Sequence, residues 1–299
     1  MPKSVRPRRS VLYMPGSNAR ALEKGKTIAA DALIMDLEDA VAPDAKEEAR
    51  ARVCDVIARG GYGQREIIVR VNGLSTPWGY QDIACASRSG ADAILLPKVE
   101  SADTVRQAET IMIEQGAPED MSIWCMMETP RGILRADAIA DASTRVSCMV
   151  MGTSDLTTDL HGMHTRDRIP MMTSLGICLL VARAHKLSIL DGVHLDLHDE
   201  KGFNEACLQS KAMGFDGKTL IHPKTIDTAN WVFGPSAADV DMSKRIIKEF
   251  KAARKRGEGV VVMDGKLIEN LHVVEAERLV QLANRIAEME SDLEGVNGG

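Results

Sequence analysis

The sequence predicts an α/β fold, a (β/α)8 TIM barrel with a C-terminal helical lid extension, and three observations predict it. Eight apolar runs rich in β-branched residues recur along the first 223 of 299 residues. Each run passes into polar or charged residues at its end, where a barrel of this kind carries its chemistry. The segments between runs, roughly 15 to 30 residues long, are long enough to carry a helix back across the sheet, as parallel neighbours require.

The runs come in order as SVLYMPG (10–16), ALIMDLED (32–39), IIVRVNG (67–73), AILLPKVE (93–100), SIWCMMETPRG (122–132), SCMVMGTSDL (147–156), SILDGVHLD (188–196) and KTLIHP (218–223). They are near-continuously apolar, the pattern of parallel strands covered on both faces. Several of the intervening segments show helical spacing, among them Ala45 to Ile57, with Ala49, Val53, Val56 and Ile57 on one side and Glu47, Glu48, Arg50 and Arg52 elsewhere. No GxGxxG follows the first strand, and eight strands suit closure better than an open dinucleotide-binding sheet. The barrel is expected over residues 1–233 and the extension over 234–299. In the extension a turn signal, GPSAADVDMS, precedes a helix Lys244 to Arg256, a segment GEGVVVMDGKLIEN and an amphipathic helix His272 to Met289.

Composition excludes several classes of function. A net charge of −6 with no dense basic face excludes nucleic acid as partner, and Lys3, Arg6, Arg8 and Arg9 read as a solvated tail. No apolar stretch approaches the ~18 residues of a membrane span, and no signal-peptide core follows the basic N-terminus, so a cytoplasmic, membrane-free protein is expected. Six cysteines lie outside metal spacing and are expected as reduced core residues.

The chemistry concentrates at the strand ends. Glu128 and Asp155 close runs five and six, adjacent in a barrel. Two hard oxygen ligands there suit Mg²⁺, which takes one or two protein carboxylates and leaves its other positions to water or substrate; pairing with basic residues of the barrel is the alternative. Asp36, Glu38 and Asp39 end run two, as a shell around metal waters or arginines, or as helix caps and mouth salt bridges. By alternation Asp36 and Glu38 share a face that Asp39 does not. Arg70, between two valines, is either a fixed cation for a carboxylate or enolate oxygen or a structural partner of Asp36 or Glu38. Lys98 carries the same two readings, and a Schiff-base role ranks below metal assistance because carboxylates crowd it. HLDLH alternates as a strand, which would hold His194 and His198 about 13 Å apart. His161 and His164, like that pair, read as loop residues rather than ligands.

RSVLYMPGSN, DLEDAV, RVNG, LPKVE, METPRGI, GTSDL and GFDGKTLIHP, in this order over residues 9–223, resemble the barrel motifs of the citrate lyase β-subunit-like CoA ester lyases, which include malyl-CoA and citramalyl-CoA lyases. GVVVMDGKLIEN resembles their C-terminal lid. The resemblance implies a Mg²⁺-dependent barrel, a homotrimer or dimer of trimers, with Glu128 and Asp155 as metal ligands and Arg70 near the thioester carbonyl. It also implies Arg20 and Lys26 on CoA phosphates, Ile221 and His222 along the acyl-CoA channel, and an acidic lid residue completing a neighbour's site. That lid position, Asp in many members, is Glu269 here, with Leu271 where proline is usual; Asp264 is the second candidate.

The expected function is cleavage or formation of a 3-hydroxy-3-carboxyacyl-CoA such as malyl-CoA or citramalyl-CoA, with acetyl-CoA and a 2-oxoacid, glyoxylate or pyruvate, as the other side of the reaction. Arg70 and Glu269 would be catalytic. One alternative is a malyl-CoA thioesterase on the same site, with Glu269 positioning water. The other is a citrate lyase β subunit acting on an acyl-carrier-protein thioester.

Overall fold

The computed structural model describes residues 5–297. Eight parallel strands close into a barrel: β1 (Ser10–Pro15), β2 (Ala32–Asp36), β3 (Glu66–Arg70), β4 (Ala93–Leu96), β5 (Ser122–Met127), β6 (Val146–Met151), β7 (Ser188–Asp191) and β8 (Gly217–Leu220). Closure comes from β8 pairing with β1 in the register Ser10↔Lys218, Val11↔Thr219 and Leu12↔Leu220. Around it lie α1 (Ala19–Lys24), α2 (Lys46–Arg59), α3 (Gly79–Ser89), α4 (Ala102–Glu114), α5 (Pro130–Leu134), α6 (Ala136–Ala140), α7 (Thr153–Asp159), α8 (Ile169–Ala184), α9 (Glu200–Met213) and α10 (Ile226–Phe233).

The strands stop at or before the first polar residue that ends each run, so Asp36, Arg70 and Asp191 close β2, β3 and β7 and most of the polar clusters lie in the loops at the strand C-termini. HLDLH is one such case. β7 ends at Asp191, so residues 193–198 are loop and the expected strand alternation of His194 and His198 does not hold. Strand side chains divide by period two. Val11, Ile34, Ile68, Leu95, Trp124 and Met126 fill the barrel interior. Leu12, Leu33, Val69, Ile94 and Cys125 face the helices. Each fully buried Leu, Ile or Val contributes roughly 1.5–3 kcal/mol.

Two sequence expectations are corrected here. Arg8 and Arg9 are buried, not a solvated tail: Arg8 donates to both Glu66 oxygens at 2.7 Å, and Arg9 grips Asp31 at 2.9 Å through two nitrogens. The Arg8 guanidinium also stands 4.7 Å from the Trp124 ring centroid, closing the N-terminal end of the interior. Among the cysteines, Cys54 on α2 and Cys85 on α3 form a disulfide, with Cα atoms 6.4 Å apart, because the two helices pack with these positions facing. Cys125, Cys148, Cys178 and Cys207 are free and buried.

Residues Arg8–Phe233 form one compact unit, and the described residues from 234 to 297 with those from 5 to 7 form a second. The second holds α11 (Ala237–Lys255), a hairpin β9 (Val261–Met263) and β10 (Lys266–Ile268), and α12 (Asn270–Asn297). The turn signal before α11 is in fact its start: Ser236 and Asp239 form a capping box, so the helix begins seven residues before Lys244. Phe250, Ile268 and Val273 join helix and hairpin in a small apolar core. Among the described residues, no helix is long and apolar enough to cross a membrane.

Candidate active site at the barrel mouth

Asp36, Arg70 and Glu128 share the interior alternation of their strands, so each reaches the mouth from the end of β2, β3 or β5. Arg70 is the hub. Its Nε donates to Asp36 Oδ1 at 2.7 Å and its Nη2 to Asp36 Oδ2 at 2.6 Å, a two-pronged grip of the kind guanidinium and carboxylate geometry favours. Nη1 lies 2.8 Å from Glu38 Oε2 and 3.6 Å from Asp39 Oδ2. Glu38 and Asp39 therefore converge on one nitrogen instead of pointing apart, because the chain leaves extended geometry after Asp36. Burial would lower the Arg70 pKa, but the Asp36 hydrogen bonds and charge outweigh it, and the net direction is up.

The loop carrying Glu38 is held from behind by groups the sequence did not single out. Lys46 Nζ donates to the carbonyls of Leu37 and Glu38, each at 2.9 Å. Asn72 Nδ2 donates to Leu37 O at 2.9 Å and to the buried Asp82 at 2.6 Å. Long sequence separation hid them; the signal available was the polar Asn72 closing an apolar run.

Glu128 is 1% exposed, and its Oε1 accepts the backbone N–H of Lys98 at 2.7 Å. Lys98 adopts φ +47°, a left-handed conformation unusual for a side chain of this size, at the position that delivers this N–H. Gly152 is required opposite: a Cβ there would collide with the Glu128 side chain. Burial, reinforced by the charges of Glu38 and Asp155, pushes the Glu128 carboxyl up to about 8 against the pull of the Lys98 N–H and charge. Burial likewise raises Glu38, ahead of the lowering by Arg70. Asp155 stands in the first turn of α7, its side chain 42% exposed. Lys98 Nζ bridges the group, 3.1 Å from Glu38 Oε1 and 3.9 Å from Asp155 Oδ1. Burial lowers Lys98 less than these carboxylates raise it.

Five carboxylates thus surround two cations. A buried carboxyl whose pKa is pushed up by burial and like charge fits a divalent-cation ligand, since a bound cation would oppose each of those causes. Among the described residues no group of three or more His, Cys, Asp or Glu is arranged to hold a metal ion, and Mg²⁺ commonly takes only one or two protein carboxylates.

The other expected residues divide. Ile221 and His222 follow β8 at the same end of the barrel and are exposed, with His222 Nδ1 accepting from the Lys224 N–H. Arg20 is exposed on α1. Lys26 is not brought to this cluster: it pairs with Glu23 at 2.9 Å and lies 5.9 Å from the ring of Tyr62, in the loop that leads into the N-terminal end of β3. In the second unit Glu269 is exposed between β10 and α12, its backbone N–H donating to His272 Nδ1 at 3.0 Å. Asp264, at φ +51° in the hairpin turn, is paired with Arg245 at 3.0 Å.

Comparison with known proteins gives this geometry relatives. The HpcH/HpaI aldolase/citrate lyase family matches residues 9–223. A (3S)-malyl-CoA thioesterase of Cereibacter sphaeroides (strain ATCC 17025 / ATH 2.4.3) is 47% identical over 287 residues, covering 96% of this chain and 98% of that protein. Citrate lyase subunit beta of Escherichia coli (strain K12) is 34% identical over 283 residues, 93% of each chain. The protein CitE from Mycobacterium tuberculosis, solved in complex with magnesium, acetoacetate and coenzyme A, superposes with a TM-score of 0.71 at 27% identity, covering 92% of this chain and 97% of that one.

Proposed function

The chain belongs to the HpcH/HpaI aldolase/citrate lyase family, and from that premise we propose that it is a Mg²⁺-dependent malyl-CoA thioesterase, hydrolysing the thioester of a 3-hydroxy-3-carboxyacyl-CoA. One observation carries the choice of reaction: the 47% identity to a (3S)-malyl-CoA thioesterase extends over 98% of that relative. The cofactor is argued from the carboxylates themselves, and the CitE complex with magnesium and coenzyme A supports it.

Glu128 and Asp155 would hold Mg²⁺, with Lys98 keeping Glu128 in place through its backbone N–H. When bound, the ion would polarise the hydroxyl and carboxylate of the acyl group and fix their orientation. Arg70, immobilised by Asp36 and Glu38, presents a fixed positive charge to the oxygen that becomes negative when the thioester carbonyl is attacked. Glu269 positions and deprotonates the attacking water; its oxygen adds to the carbonyl carbon, the C–S bond breaks, and CoA leaves with a proton on sulfur. Arg20, Ile221 and His222 are the proposed contacts along CoA. Glu269 is proposed to serve a neighbouring subunit of a homotrimer or dimer of trimers, which a fully active monomer in light scattering would contradict.

Carbon–carbon cleavage is the second reading, favoured by the likeness to citrate lyase β subunits. It uses the same metal and Arg70 for a departing enolate, with a 2-oxoacid as the other product. Malyl-CoA and citramalyl-CoA, each with Mg²⁺ or EDTA, separate the two. Free CoA without 2-oxoacid supports hydrolysis. Mg²⁺-dependent 2-oxoacid matched by acetyl-CoA makes the protein a lyase. No turnover of either ester would contradict both readings and point to a carrier-protein thioester.

A further inference from the structure

One polar group on the floor of the mouth is not accounted for by the carboxylates or Arg70. Tyr13 lies on β1 among the interior apolar side chains, in register with Ile34, two residues before Asp36. Its ring stacks under Arg70, whose guanidinium carbon is 4.9 Å from the ring centroid. The ring therefore has a structural task, which phenylalanine would perform equally well. The hydroxyl does not share it. Its hydrogen-bond contact is the Met126 sulfur at 4.0 Å, a weak acceptor at long range. Burial pushes the phenol up, opposed by the Arg70 charge and reinforced by Asp36, Glu128 and Glu38, so the group remains an O–H donor at neutral pH.

Arg70, by contrast, has its forked donors turned to carboxylates: Nε and Nη2 to Asp36, Nη1 to Glu38 and Asp39. A developing oxyanion beside it gains the field of the guanidinium but competes with Asp36 for its hydrogen bonds and with Glu38 and Asp39 for its charge. A neutral donor on the same floor, with no oxygen acceptor of its own among the described residues, complements that defect.

We propose that the Tyr13 hydroxyl donates a hydrogen bond to the thioester carbonyl oxygen of the acyl-CoA and strengthens it as that oxygen becomes negative. The inference rests on the acyl-CoA reading above, but not on which bond breaks, since the same oxygen gains charge in hydrolysis and in carbon–carbon cleavage.

The test compares wild type with Tyr13→Phe, which keeps the ring over Arg70 and removes only the hydroxyl. Two quantities are read in the presence of Mg²⁺: kcat and KM on the turned-over ester, and calorimetric affinities for acetyl-CoA and for CoA, which lacks the carbonyl. The expected result is a kcat reduced on the order of 10² with KM changed far less. Acetyl-CoA should bind about tenfold more weakly while CoA binding and the melting temperature stay as in wild type. A Tyr13→Phe protein within twofold of wild type in both kcat and acetyl-CoA affinity overturns the inference. If the wild type turns over neither malyl-CoA nor citramalyl-CoA, the proposed function fails on its own and the acetyl-CoA comparison still decides Tyr13. A wild type that does not bind acetyl-CoA overturns both.

Discussion

The two ends of the barrel both contain buried ions but balance them differently. At the N-terminal end Arg8 is matched by Glu66 and Arg9 by Asp31, each pair held by two hydrogen bonds between side chains. At the C-terminal end Asp36, Glu38, Asp39, Glu128 and Asp155 share Arg70 and Lys98. Paired charges at one end maintain structure at the lowest electrostatic cost a buried ion allows. An excess of carboxylates at the other is unfavourable unless protons or a cation compensate, and burial with the neighbouring charges accordingly pushes Glu128 up to about 8. The contrast teaches which end is built to receive a charged ligand.

Removing a mouth carboxylate should have the largest effect on activity. Glu128→Ala and Asp155→Ala are each expected to abolish Mg²⁺-dependent turnover while leaving a folded protein by circular dichroism; near-wild-type activity in either would remove the metal assignment. Arg70→Ala should cost on the order of 10² or more in kcat. Arg70→Lys should recover little of it, because an ammonium cannot reproduce the two-pronged bond to Asp36.

At the opposite end the expected signature is inverted. Arg8→Ala removes the two hydrogen bonds that Arg8 gives the buried Glu66 and should destabilise the protein by roughly 3–5 kcal/mol in urea unfolding. Its kcat at a temperature where it is folded should stay near wild type. A large loss of kcat with unchanged stability would mean the two ends are not functionally distinct.

The smallest expected effect is in pH dependence. Without metal, Glu128 binds its proton more tightly in the folded state than in the unfolded chain. Its contribution to stability is therefore fully present below the ordinary carboxylate range and lost as pH rises through about 8. Mg²⁺ replaces that proton, so the rise in melting temperature caused by Mg²⁺ should be larger at pH 8.5 than at pH 6. An equal rise at both values would show that the ion does not bind at Glu128.

Much of the fold was legible because parallel strands covered on both faces must be apolar throughout, and eight such runs leave few closed arrangements. The strand ends were not, since a polar residue after an apolar run looks the same whether it ends the strand or begins the loop; Glu38 and Asp39 were misdirected for that reason. Arg70 with Asp36 was visible as one of two possibilities, and its position inside an apolar run was the clue. Arg8 could not be distinguished from a basic tail because its partner lies 58 residues away. Cys54 and Cys85 were hidden by the rotation of two helices, which spacing alone does not report. Lys46, Asn72 and Asp82 act through backbone carbonyls and amides, contacts that leave no motif.

The most direct measurement is a calorimetric titration of Mg²⁺ into the wild type and into Glu128→Gln at pH 8, where the substitution keeps the side chain's size and removes its charge. The wild type should bind Mg²⁺ at one site with proton release, and Glu128→Gln should lose that site. Equal binding in the two proteins, or none in the wild type, would contradict the claim that the carboxylate excess at the mouth is a cation site.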